Sequence, residues 1–136
     1  MTVLGLGLDV VDVAGFSAQL DDSASVFVEQ TFTPAERAYA SAKTPKARAW
    51  SLAGRFAAKE AFIKAWSASR RGQLPALERV DLREIEVVVD PHGRPSLMLH
   101  GVVEDAFTRG APCAIHLSIS HDGPVAAATV LIDQPA

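Results

Sequence analysis

The spacing of apolar positions changes along the chain, and each change marks an element. Val3 to Val11 is almost continuously apolar, interrupted by Gly5, Gly7 and Asp9, which predicts a buried strand with an acid near its end. Asp12 to Leu20 predicts a helix, closed by the polar break Asp21-Asp22-Ser23. Thr33-Pro34-Ala35-Glu36 is a helix start: a threonine cap, proline at the first helical position and glutamate three after the cap. Thr44-Pro45 repeats the cap and proline and opens the longest helical pattern, which runs to about Ser69 with Ala49, Leu52, Phe56 and Ile63 on an apolar face. Arg70-Arg71-Gly72 and Pro75 end it.

Beyond that helix the period shortens. Ile85 to Val89 is a β-branched run, Asp90 to Pro95 is turn chemistry, and Leu97 to Leu99 follows, which predicts a hairpin. Gly101 to Arg109 suits a short helix. Cys113, Ile115, Leu117 and Ile119 alternate with Ala114, His116, Ser118 and Ser120, the pattern of a half-buried strand. His121 to Pro124 is read as a turn, and Val125 to Ile132 as a more fully buried returning strand. Mixed helices and strands with an antiparallel closing pair predict an α+β fold, in one domain over 1–136.

Composition narrows the class. Hydrophobic residues make up 49% and charged residues 21%, which suits a globular core and excludes a disordered or collagen-like chain. The lone Cys113 cannot form an intramolecular disulfide and reads as a small hydrophobe in a reducing compartment. The apolar start lacks a basic flank and meets Asp9 early, and no run approaches membrane-spanning length, so the expectation is a cytoplasmic protein without a membrane partner. A net charge of −3 argues against a nucleic-acid binder.

Charge distribution is more informative than the total. No Lys or Arg precedes Arg37, whereas Lys43 to Arg71 holds eight cations against the single acid Glu60, a balance of +7. That inversion predicts a site for phosphates or an acidic protein, the alternative being an incidental basic face. Glu60 and Lys64 have the i,i+4 spacing of a surface ion pair. A carboxylate among phosphate-attracting cations also suits Mg²⁺, which takes one or two carboxylates together with substrate phosphates. Asp9 is a candidate second carboxylate, or alternatively the cap of the helix after it. Spacing alone does not bring residues 9 and 60 together.

Four motifs, in order, make the chain recognisable. They are Gly5-Leu6-Gly7-Leu8-Asp9-Val10-Val11, the long segment from Gly54-Arg55 through Lys59-Glu60 to Lys64-Ala65, Asp90 with Gly93-Arg94-Pro95, and Ser118-Ile119-Ser120-His121. Together they resemble the holo-acyl-carrier-protein synthases, the small single-domain type of the 4′-phosphopantetheinyl transferase superfamily. The resemblance implies an antiparallel sheet packed on a long helix, assembled as a homotrimer with sites between subunits. It implies Mg²⁺-dependent transfer of 4′-phosphopantetheine from coenzyme A to a serine of an apo acyl carrier protein. Adenosine 3′,5′-bisphosphate is released, and the reaction supports fatty acid biosynthesis.

Carried over by position, Asp9 and Glu60 are the implied metal ligands, and Glu60, or a metal-bound water it orients, is the implied acceptor of the serine proton. Lys64 is implied at the pyrophosphate, Arg55 and His121 at coenzyme A phosphates, and Gly93, Arg94 and Pro95 at the wall of the nucleotide site. Lys59 is expected only to extend the positive field. His92, His100 and His116 are read as surface or satisfied core residues, and Ser118 and Ser120 as hydrogen-bonding strand residues.

One departure concerns the partner. Family members of this type present cations on the first helix, where acidic carriers dock; here Asp12 to Gln19 has none. The carrier domain of a multidomain fatty-acid synthase is therefore an alternative acceptor, with docking through Arg70, Arg71 or neighbouring cations as the weaker option. The competing functional reading is a coenzyme A-binding module that regulates without transferring.

Overall fold

Two glycines explain how the first strand meets the long helix in the computed structural model, which describes all residues 1–136. Strand β1 (Thr2–Asp12) runs across helix α4 (Pro45–Ser69). A Cβ on Gly5 would stand 2.0 Å from the carbonyl oxygen of Ala65, and one on Gly7 would stand 1.9 Å from that of Ala61. Only glycine permits this approach, and the small residues Ala57, Ala58, Ala61 and Ala65 give α4 a matching shallow surface.

Between them lie α1 (Val13–Leu20), α2 (Phe27–Thr31) and α3 (Pro34–Ser41). Asp12, not Asp9, caps α1, accepting from Gly15 N at 3.1 Å, so the capping alternative for Asp9 does not occur. Thr33 and Glu36 form the expected capping box, and Thr44 caps α4. Helix α2 has no signal in the sequence pattern. It is five residues long without a side-chain cap, and it forms where Phe27 packs edge-on against Phe16, Phe32 and Phe56.

The rest of the chain supplies β2 (Ile85–Val89), β3 (Pro95–Leu99), α5 (Gly101–Phe107), β4 (Ala114–Asp122) and β5 (Val125–Gln134), with a short 3₁₀ turn at Leu82–Glu84. The sheet order is β1-β5-β4, antiparallel throughout, while β2 and β3 pair only with each other. Strand β4 continues through His121 to Asp122, leaving only Gly123 and Pro124 as the turn, tighter than the sequence suggests.

Helix α4 is central rather than a surface helix with one apolar stripe. Leu52 to Arg55, Ala57 to Lys59, Ala61, Phe62, Ala65 and Trp66 are all buried, because strands and the hairpin enclose it from different sides. The predicted stripe is only partly right: Ala49 and Leu52 are buried, whereas Phe56 and Ile63 are half-buried.

Candidate active site

The strand–helix crossing places three charged side chains together. Two strand residues advance about 7 Å and four helix residues about 6 Å, so contacts Gly5–Ala65 and Gly7–Ala61 bring the next inward strand position beside the preceding turn of α4. That position is Asp9. It lines a hollow of about 330 Å³ with Glu60, Asp12, Gly15, Phe16 and Phe56. Lys64 Nζ reaches Asp9 Oδ1 at 3.2 Å and the carbonyl of Leu8 at 3.0 Å. Despite its i,i+4 spacing, Lys64 thus pairs with Asp9 rather than with Glu60.

Burial, then the nearby charge of Asp9, pushes the Glu60 carboxyl above the usual carboxylate range, and Lys64 only partly opposes this. Two carboxylates sharing one lysine leave uncompensated negative charge. The donor set is oxygen only and the hollow is open, which fits a hard divalent cation completed by water and phosphate oxygens. No group of three or more His, Cys, Asp or Glu side chains could hold a metal ion, and Asp9 and Glu60 are the candidate pair.

A larger cavity, about 600 Å³, lies toward the N-terminal half of α4. Arg55 and His121 both line it, as do Gly93 and Pro95. Arg94 does not: its side chain is largely exposed and sits 3.5 Å from Asp90, so the turn presents its neighbours instead. Asp90 organises that turn by accepting from His92 N at 2.8 Å and Arg94 N at 2.9 Å, and Gly93 adopts φ +78°, where glycine is unstrained.

Arg55 is 7% exposed and lies over the Tyr39 ring, 4.4 Å from its centroid. Its Nη1 donates to Ser51 Oγ at 2.8 Å, but its buried Nε has no partner. Burial lowers its pKa, opposed by Glu36 and Tyr39; the guanidinium remains a cation and gains from an anion in the cavity. His121 stacks edge-on against Trp50, with Nε2 3.1 Å from the Trp50 carbonyl oxygen. Gly54 makes room for it, since a Cβ there would stand 2.9 Å from that nitrogen.

Lys59 does not extend the positive field. Its side chain is fully buried against Glu36 at 2.8 Å. His100 and His116 are satisfied by Glu86 and Asp133, and Ser118 and Ser120 point outward on β4. Sequence reasoning missed Tyr39, Trp50 and Ser51 as cavity residues. Trp50 and Ser51 precede Arg55 by about a turn on α4, so helical spacing from Arg55 was an available signal; Tyr39, on α3, had none.

A family model for ACPS, the 4′-phosphopantetheinyl transferase superfamily, matches residues 5–130. A holo-[acyl-carrier-protein] synthase of Mycobacterium tuberculosis is 45% identical over 135 residues, covering 99% of this chain and all of the relative. One from Nocardia farcinica is 43% identical over 136 residues, covering 99% of this chain and 90% of the relative. Among solved structures, an ACPS–CoA complex from Chronobacterium ammoniagenes superimposes with a TM-score of 0.90 at 42% identity, covering 96% of this chain and 97% of that one. An antiparallel α+β frame, a strand-end carboxylate beside a helical one and full-length similarity converge on one conclusion: the chain belongs to the holo-acyl-carrier-protein synthases of the 4′-phosphopantetheinyl transferase superfamily.

Proposed function

We propose that this chain, acting as one catalytic domain in the cytoplasm, transfers 4′-phosphopantetheine from coenzyme A to a carrier serine with Mg²⁺ bound between Asp9 and Glu60. The observation that carries the reading is the meeting of those two carboxylates in one hollow, with Lys64 paired to Asp9. The relative solved with CoA supports the nucleotide part. The 3′-phosphorylated nucleotide end is assigned to the larger cavity, where Arg55, Lys43 and Lys46 supply positive charge, His121 a ring nitrogen, and Trp50 and Tyr39 aromatic faces.

In the reaction the serine Oγ–phosphorus bond forms as the bond from that phosphorus to the departing bisphosphate oxygen breaks. Mg²⁺, when bound, supplies Lewis-acid neutralisation of the pyrophosphate. Glu60, directly or through a water that it orients, accepts the serine proton. Lys64 turns from Asp9 to a pyrophosphate oxygen, which its 55% exposed side chain permits. Catalysis is then mainly positioning and charge compensation.

For the partner, cation-free α1 lies beside a second hollow of about 780 Å³ that contains Val13, Ala14 and Ser17 of α1 with Lys43, Lys46 and Arg48. The cations that meet a carrier are thus assigned to the α3–α4 turn, with the carrier domain of a multidomain fatty-acid synthase as acceptor. Arg70 and Arg71 are at the other end of α4, about 35 Å away along its axis. A homotrimer is supported by the outer face of β1, where Leu6, Leu8 and Val10 are 59%, 55% and 59% exposed in one stripe; sedimentation giving a monomer at micromolar concentration removes that part.

The deciding experiment is the mass of an apo carrier after incubation with the chain, coenzyme A and Mg²⁺. A free acidic carrier and an excised synthase carrier domain are run side by side. A mass gain of one phosphopantetheine, faster on the carrier domain, is expected. Coenzyme A binding with an unchanged carrier mass selects a regulatory binding module instead, and a salt-sensitive preference for the free carrier refutes the altered partner.

A further inference from the structure

The β2–β3 hairpin forms one wall of the larger cavity through Val87, Val89, Gly93 and Pro95. It shares no backbone ladder with the three-stranded sheet, so side chains must set much of its position. Glu36 of α3 and Lys59 of α4, both with fully buried side chains, supply that link. Glu36 Oε1 accepts from Lys59 Nζ at 2.8 Å and from Thr33 N at 3.0 Å, while Oε2 accepts from Val87 N at 3.0 Å. Lys59 donates its other two protons to the carbonyls of Leu82 at 2.8 Å and Ile85 at 2.7 Å.

All three ammonium donors are therefore used on protein, and none is left for a ligand. A second tie runs from Thr33 Oγ1 to Glu86 Oε2 at 2.5 Å, with His100 Nε2 3.1 Å from Glu86 Oε1. Lys59 follows Arg55 by four residues, so the two rise from one side of α4. The same helix face holds the guanidinium and, through Lys59 and Glu36, the wall opposite it.

We propose that Glu36 is a positioning residue for coenzyme A: through Lys59 and Val87 it fixes the distance between the hairpin wall and Arg55. The proposal rests on the coenzyme A reading above and deepens it. Its role differs from charge compensation alone, because a buried ion pair exchanged for neutral groups of similar size often costs little stability. Geometry and stability are therefore separable here.

The test compares the wild-type enzyme with Glu36→Gln and with Glu36→Gln combined with Lys59→Met. Calorimetric binding of adenosine 3′,5′-bisphosphate, the coenzyme A and carrier KM values, kcat and the thermal midpoint are measured. Both variants should bind the bisphosphate at least fivefold more weakly and raise the coenzyme A KM to match. Carrier KM and kcat at saturating coenzyme A should stay within twofold, even where the double variant regains the wild-type midpoint.

Wild-type bisphosphate affinity in the double variant overturns the proposal, as does a kcat loss with KM unchanged. Glu86→Ala decides the matter if neither variant folds, since it loosens the same hairpin from the half-buried side; an unchanged coenzyme A KM there also overturns it. A wild-type enzyme that binds no bisphosphate defeats the coenzyme A reading itself. Normal wild-type binding with unaffected variants defeats only the positioning role.

Discussion

Lys59 and Glu60 are adjacent in sequence and sit in opposite electrostatic situations. Lys59 turns inward and meets one carboxylate and two carbonyls, so its charge and all its protons are satisfied. Glu60 turns to the open hollow beside Asp9, whose ion pair is with Lys64. Burial lowers the Lys59 pKa and Glu36 pulls it back; burial raises that of Glu60 and Asp9 pushes it further the same way. The closed cluster is completed by the fold, whereas the open one keeps negative charge that the fold only partly offsets.

Replacing Glu60 should break this contrast most visibly. Glu60→Gln keeps the size and removes the charge, and turnover should fall by about 10³-fold, within the usual range for losing an acid–base group. Stability should move the other way. Because the folded-state pKa is raised, the folded chain holds more protons than the unfolded one between the two values, so stability falls as pH rises through that window and stays lower above it. The variant escapes this and should melt higher than wild type at pH 7 without added metal. Mg²⁺ should raise the wild-type midpoint and leave the variant unmoved. A variant that keeps a tenth of wild-type turnover, or melts lower, would refute the assignment of the open charge to Glu60.

The closed cluster should respond in stability first. Lys59→Met leaves Glu36 buried without its cation, a loss of about 3–5 kcal/mol at pH 7 by urea denaturation. Lys59→Gln, which keeps an N–H donor toward the carbonyls of Leu82 and Ile85 but not the charge, should recover little of this loss. Full recovery would mean that the carbonyl contacts, not the charge, carry the interaction.

Much of this was legible in the sequence, but unevenly. The α4 boundaries, the hairpin and the antiparallel closing pair follow from local signals: Thr44-Pro45, the Asp90 turn and the alternation from Cys113 to Ile119. The role of Lys59 does not, since it reads as one more cation on a helix and only the third dimension shows that it faces Glu36. Glu60 stands out as the lone acid among cations, but spacing does not reveal that it meets Asp9. Glu36 was visible only as a capping-box residue; its bond to Val87, 51 positions away, has no local signature. Helix α2 was invisible for the same reason, being held by aromatic contacts distant in sequence.

The contrast also depends on the crossing that joins Asp9 to Glu60. Gly7→Ala would place a methyl group where the Ala61 carbonyl oxygen is, forcing β1 away from α4. A cost of about 2–3 kcal/mol is expected, seen as a lower denaturation midpoint. The Mg²⁺-induced rise in midpoint should weaken with it, because Asp9 moves with the strand. A destabilised variant with a full Mg²⁺ response would show that the metal depends on Glu60 alone.

The smallest effect distinguishes two roles for Lys64. If it served only to neutralise Asp9, Lys64→Ala would weaken folding slightly and leave the ligands alone, since an exposed pair contributes under about 1 kcal/mol. In the proposed site it competes with the metal for Asp9 and then serves the pyrophosphate, so its loss should act on the two ligands with opposite signs. Mg²⁺ binding without nucleotide should tighten, because a cation beside the site has gone. The coenzyme A KM should rise about tenfold, equivalent to about 1.4 kcal/mol of lost pyrophosphate contact. Titrating Mg²⁺ and coenzyme A separately reads both signs. Two weakened ligands would instead mean that Lys64 holds Asp9 in place for the metal, and would place its function in the closed architecture rather than in the open charge.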